Sequence, residues 1–364
     1  MEQKNRLMLG TRKGLAVFEK GPQGNYLQTQ MHFLGIPVSI AAVDERNGTW
    51  WALLDHGHWG CKVHKSTDEG KTWKELESPK YPEGEEIKDG VPASVKYLWA
   101  FAHGGKDRPE ELFLGSEPGG LFHSKDQGTS FQLNRGLWEH PSRKEQWFGG
   151  GRDFPGIHSI IVDPRDSDHI FVGISCAGVF ESRDGGTNWI PKNKGLKADF
   201  LPDANSEIGQ DPHLLVASKN HPDYLWQQNH CGIFKSENGG ELWEEVGQKA
   251  GEGPANFGFA IAVDENKPEV AWVVPANSDQ IRVAVDGALC VCRTDDGGKT
   301  WKDFRKGLPQ ENCFDIVFRH ALDKSGETLA FGTTTGNLYL SDDYGESWKS
   351  LSNNMPMIYS VEFY

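Results

Sequence analysis

Apolar residues along this chain come in short runs, too short for helices, each bounded by Gly, Pro, Asn, Asp or Ser. Ile157–Val162 and Ile170–Ile174 make one such pair, separated at 163–168 by the strong turn sequence Asp-Pro-Arg-Asp-Ser-Asp. Residues 214–217 pair in the same way with 224–226, and residues 314–318 with 329–331. A third short run, such as 178–181, follows each pair and leads into a turn that ends on a large aromatic residue. The pattern predicts four-stranded antiparallel units, strands A to D, repeated along the chain.

The turn after the third run occurs six times as Ser/Thr-x-Asp-x-Gly-x-x-Trp, with few departures. It begins at Ser66, Ser124, Ser182, Ser236, Thr294 and Ser341, at spacings of 58, 58, 54, 58 and 47 residues. A recurrence at that period means stacked copies of one supersecondary unit. In each copy the Asp (Asn238 in the fourth) can accept hydrogen bonds from its own turn, and the Gly can take positive φ. The closing Trp or Phe is an apolar plug. One or two carboxylates per turn fall short of the six to eight oxygens that calcium takes, so the turns read as structural.

Six motifs imply six units, and the N-terminus supplies a seventh from 6–10, a bend at 11–13, 14–18 and the segment after it. That unit lacks strand A, which residues 357–363 can provide from the other end of the chain. The predicted fold is all-β: a seven-bladed β-propeller forming one domain, 1–364, whose first blade is closed by the C-terminal strand. Closure of this kind leaves no free sheet edge.

Composition narrows the function classes. The 43 Gly and 13 Trp suit a turn-rich fold with aromatic plugs, and the net charge of −14 disfavours nucleic acid or an anionic membrane as partner. The first residues hold no apolar stretch of signal-peptide length, and the six cysteines form no CxxC pair. The expectation is a cytoplasmic protein with free thiols.

The six turns resemble the Asp-box, or BNR, repeats of sialidases, sortilin-type receptors and related β-propellers, and the resemblance covers nearly the whole chain. Residues 10–14, 228–232 and 331–336 are also similar to intracellular bacterial BNR-repeat or glycosyl-hydrolase-like proteins. A sialidase-type glycoside hydrolase is one implication. Yet the Arg-Ile-Pro signature expected near the first blade is absent, since Gly35-Ile36-Pro37 holds no arginine.

In a propeller the C–D turns share a face with the A–B turns, and the B–C and D–A loops converge at the other mouth of the channel. Those loops hold Arg12, His56, His58, Glu117, Gln228, Asn229, His230, Asp279, Arg282 and Thr334, with His158 and His213 at the starts of inner strands. Two long D–A insertions, 138–153 and 199–211, add Arg143 and Arg152 over the same mouth. Polar groups converging on a concave mouth mark a binding site. The expectation is a site for a small polar or anionic, carbohydrate-like ligand, with Glu117, His158, His213 and His230 as candidate catalytic groups. His158, His213 and His230, from adjacent blades four and five, can share a divalent metal ion. A non-catalytic scaffold that binds protein through its acidic surface is the alternative.

Overall fold

The structure, a computed structural model, describes residues 4–249 and 251–364; residues 1–3 and 250 of the expected single unit lie outside the described residues. Seven four-stranded antiparallel sheets form the blades of a propeller. The C-terminal strand Ile358–Phe363 pairs with Arg6–Thr11, which pairs in turn with Gly14–Lys20 and Tyr26–His32, so the two ends of the chain share blade one. Ile358 and Phe363 are fully buried on that closing strand, each contributing roughly 1.5–3 kcal/mol of apolar burial. Among the described residues no helix is long and apolar enough to cross a membrane.

The six repeated turns are alike in detail. In the first, Asp68 Oδ1 accepts from Ser66 Oγ (2.7 Å) and Thr72 N (2.9 Å), while Oδ2 accepts from Thr72 Oγ1 (2.7 Å). These bonds, from Thr72 first, hold the Asp68 carboxyl down at about 2. The Ser66 hydroxyl accepts from Gly70 N at 2.9 Å, and the six turn glycines all have positive φ, between 76° and 91°. The closing indoles clip neighbouring blades together: Trp243 Nε1 donates to Lys192 O (2.8 Å) and Trp301 Nε1 to Val246 O (2.7 Å).

The innermost strands share a feature that the alternation of side chains does not announce. In blades two to five the register against the second strand slips by one residue near the start, at Val38/Ile40, Leu98/Ala100, Ile157/Ser159 and Pro212/Leu214. The bulged residues are Ser39, Trp99, His158 and His213. Blade six slips between Gly258 and Ile261, and blade one at Gly10/Thr11, opposite Tyr359. A β-bulge adds a residue to one strand and re-aims its side chain, here toward the channel.

Blade seven corrects the expectation. Its inner strand is Leu322–Ser325, not residues 314–318. Thr334 N still donates to Ile316 O (3.0 Å) and Gly332 N to Ala321 O (2.8 Å), but between them the chain makes a turn closed by Ala321 N to Phe318 O (2.9 Å). That inserted turn carries Arg319 and His320 into the channel, where they line the cavities at both of its ends.

Candidate functional site

At the B–C/D–A mouth the bulges and insertions enclose a cavity of about 480 Å³. Its floor is Arg319 and His320, and its wall is aromatic, with Tyr97, Trp99, Phe257 and Phe259 prominent. Both insertions do cover it, through Phe148 to Arg152 and through Phe200 and Asp211. The first insertion leaves the short helical turn Arg135–Trp138 and forms a second, Arg143–Gln146. It then descends so closely at Gly150 that a Cβ there would lie 2.5 Å from Cys176 Sγ.

The anionic centre of the mouth is Asp211, immediately before the blade-five inner strand Pro212–Ser218. Its Oδ1 accepts from Cys176 N (3.1 Å), while Oδ2 lies 3.7 Å from His213 Nε2 and 3.4 Å from His230 Nδ1. Burial alone would raise the Asp211 carboxyl, but His213, His230 and the Arg319 charge outweigh it and hold it well below the ordinary range. Burial pushes the His213 ring below its usual value, whereas contact with Asp211 raises His230 against a smaller burial cost. His213 is fixed on three sides: Nδ1 donates to Gly258 O at 2.6 Å, its ring stacks on Phe259, and its Nε2 faces Asp211. Asp211, His213 and His230 offer three ligand atoms within 4.8 Å of one another and so form the group that can hold a metal ion. Burial and the Asp211 charge push the Cys176 thiol well up, which removes it as a nucleophile.

Three arginines face the cavity. Arg152 pairs with Glu117 and lies over Tyr97 (4.2 Å) and Trp99 (5.1 Å). Arg282 is held by Nε to Asp279 O (2.9 Å). Arg319 lies 4.6 Å from the Trp99 ring centre and 5.5 Å from that of Phe259. Among the described residues it has no ion pair, and its buried Nε has no hydrogen-bond partner. Burial lowers its pKa to about 10, which still leaves it charged at neutral pH.

Of the residues expected at the mouth, the structure brings together Arg152, His213, His230, Asp279 and Arg282. The rest lie elsewhere. His158 is completely buried, hydrogen-bonds Ser159 Oγ through Nδ1 (2.9 Å) and lines the cavity at the opposite end of the channel, so it does not join His213 and His230. Glu117 is buried and committed to Arg152. Arg143 anchors the first insertion, donating to Ile87 O (2.7 Å) and Glu86 O (3.2 Å) and stacking on Trp138.

Gln228 and Asn229 belong to the strand His221–Asn229, which runs further than expected. Gln228 donates to Asn256 O (2.7 Å), and Asn229 donates to Gln227 and accepts from Cys231 N. Arg12 and His58 are exposed, and neither they nor His56 and Thr334 line the cavity. Asp211, Arg319, His320 and the aromatic wall were not among the sequence candidates. The one available signal was the Asp211-Pro212-His213 spacing at a strand start.

No family model matches the chain. An oligoxyloglucan-reducing end-specific xyloglucanase of Emericella nidulans is 26% identical over 270 residues, covering 66% of this chain and 31% of that protein. The chain spans less than a third of the length of the curated relatives it matches. Among solved structures, an ancestral GH74 enzyme superposes with a TM-score of 0.58 at 18% identity, covering 86% of this chain and 38% of that one. A protein from Lactobacillus plantarum superposes with a TM-score of 0.62 at 13% identity over 99% of both chains. The chain is thus a seven-bladed β-propeller similar to the GH74 xyloglucanases, a glycosyl-hydrolase-like propeller.

Proposed function

We propose that the mouth binds a small, carboxylate-bearing, carbohydrate-like ligand. The observation that carries this reading is Arg319: a half-buried guanidinium on the cavity floor that makes no ion pair among the described residues, its Nε without a hydrogen-bond partner and Asp211 its nearest opposing charge. An unpaired buried charge is costly unless something else completes it. Arg282 stands at the same cavity, so the opening favours an anion. The aromatic wall suits the apolar face of a sugar ring, and the likeness to xyloglucanases favours a glycan-derived ligand. Asp211 and Asp279, the two carboxylates facing the cavity, are the groups available for hydrolytic chemistry on such a ligand.

Calorimetric titration with D-glucuronate and D-glucose, in buffer containing a chelator, tests the reading. Glucuronate is expected to bind, with glucose weaker by tenfold or more, and Arg282→Ala is expected to weaken glucuronate by about tenfold. Equal affinity for the two sugars, or no binding of glucuronate, would overturn it.

A further inference from the structure

We infer that Asp211, His213 and His230 form a binding site for a divalent transition ion of the zinc type, opening into the mouth. A carbonyl oxygen only accepts, so His213 Nδ1, at 2.6 Å from Gly258 O, carries the hydrogen. The Nε2 of that neutral ring is then a lone pair, and it faces Asp211 Oδ2 across 3.7 Å. His230 presents its Nδ1 to the same oxygen at 3.4 Å, with its Nε2 4.0 Å from Asp279 Oδ2 on the other side of the ring. Asp211 Oδ1 is already used by Cys176 N, so Oδ2 is the oxygen left over. Three atoms able to ligate therefore converge on one point, and a divalent cation there takes all three as ligands in place of any proton shared between His230 and Asp211.

The dimensions suit that ion. Tetrahedral zinc with bonds of about 2.0–2.2 Å separates its ligand atoms by roughly 3.3–3.5 Å. The gaps here are 3.4 and 3.7 Å, and all three atoms lie within 4.8 Å. His230, with 28% of its side chain exposed, is the member free to close the remainder. Each ligand has an outer partner that orients it: Gly258 O for His213, Asp279 for His230 and Cys176 N for Asp211. Two imidazoles and one carboxylate select a borderline transition ion over calcium or magnesium, which prefer oxygen.

Three protein ligands leave a coordination position directed into the cavity that Arg282 and Arg319 share. An anion placed there meets the ion and both guanidinium groups. This last step rests on the ligand reading above; the ion site itself does not.

Zinc titration of chelator-stripped protein, with no sugar present, tests the site. Calorimetry and elemental analysis after dialysis are expected to give one tight equivalent of zinc, with no measurable calcium or magnesium binding. His230→Ala, at a half-exposed position, and Asp211→Asn are each expected to weaken zinc by at least a hundredfold, whereas His58→Ala on the exposed turn leaves it unchanged. Near-ultraviolet circular dichroism establishes that each variant is folded. Absence of a stoichiometric zinc ion, or zinc that persists in both His230→Ala and Asp211→Asn, would overturn the proposal. Glucuronate binding in chelator is read separately, so either result can fail alone.

Discussion

The repeated turns and the mouth are both dense in polar side chains, and they sit at opposite ends of the same blades. In the turns every carboxylate oxygen of Asp68, Asp184 or Asp296 is bonded within its own eight residues. Across the mouth the balance is reversed. Arg319 makes no ion pair among the described residues, and ring nitrogens of His213 and His230 both face one carboxylate oxygen, Asp211 Oδ2. A polar cluster that closes on itself stabilises a fold, while one left open is a candidate for a ligand. Motif density alone therefore points to the wrong face.

The contrast can be broken by substitutions on each side. The largest expected effect is on the turn face: Trp243→Ala should cost about 3–5 kcal/mol in denaturant unfolding, since it removes a buried indole and its bond to Lys192 O. Zinc stoichiometry of the folded fraction should be untouched. A Trp243→Ala protein of parental stability would show that the plugs do not carry the ring.

Next comes Asp296→Ala, which loses three short bonds and should lower the melting temperature by a few degrees without altering glucuronate affinity. A change in affinity there would connect the two faces and weaken the contrast.

The smallest effect concerns the cavity at the other end of the channel. Burial raises the Glu362 carboxyl to about 8, with Asp323, Glu45 and Lys4 as its charged neighbours. The folded chain thus keeps a proton that the unfolded chain releases near the ordinary glutamate value. This group makes stability fall as pH rises through that window, with its loss essentially complete above 8. Glu362→Gln should flatten the decline and, at pH 9, exceed the parent by on the order of 1–2 kcal/mol. Identical pH profiles for the two proteins would contradict the raised value.

Much of the architecture was legible because the turn motif recurs with little change, and its period assigns each short apolar run to a blade. Even the closing strand Ile358–Phe363 could be inferred, from the strand missing in the first unit. The mouth was harder to read because it is built from irregularities. A bulge at Ser39, Trp99 or His213 alters the side-chain alternation by one residue, and a single sequence does not mark where. Arg319 and His320 fell just beyond the expected inner strand of blade seven, in the turn that displaces it. Gln228 and Asn229 erred the other way: they read as loop residues, but the ladder continues through them.

Arg319→Met joins stability and binding in one variant. It removes a half-buried cation that makes no ion pair among the described residues and substitutes an apolar side chain against Trp99 and Phe259. The melting temperature is expected to stay level or rise, while glucuronate affinity falls by tenfold or more. A variant that melts several degrees lower and still binds glucuronate like the parent would show that Arg319 is structural, and would contradict the assignment of the mouth as the ligand site.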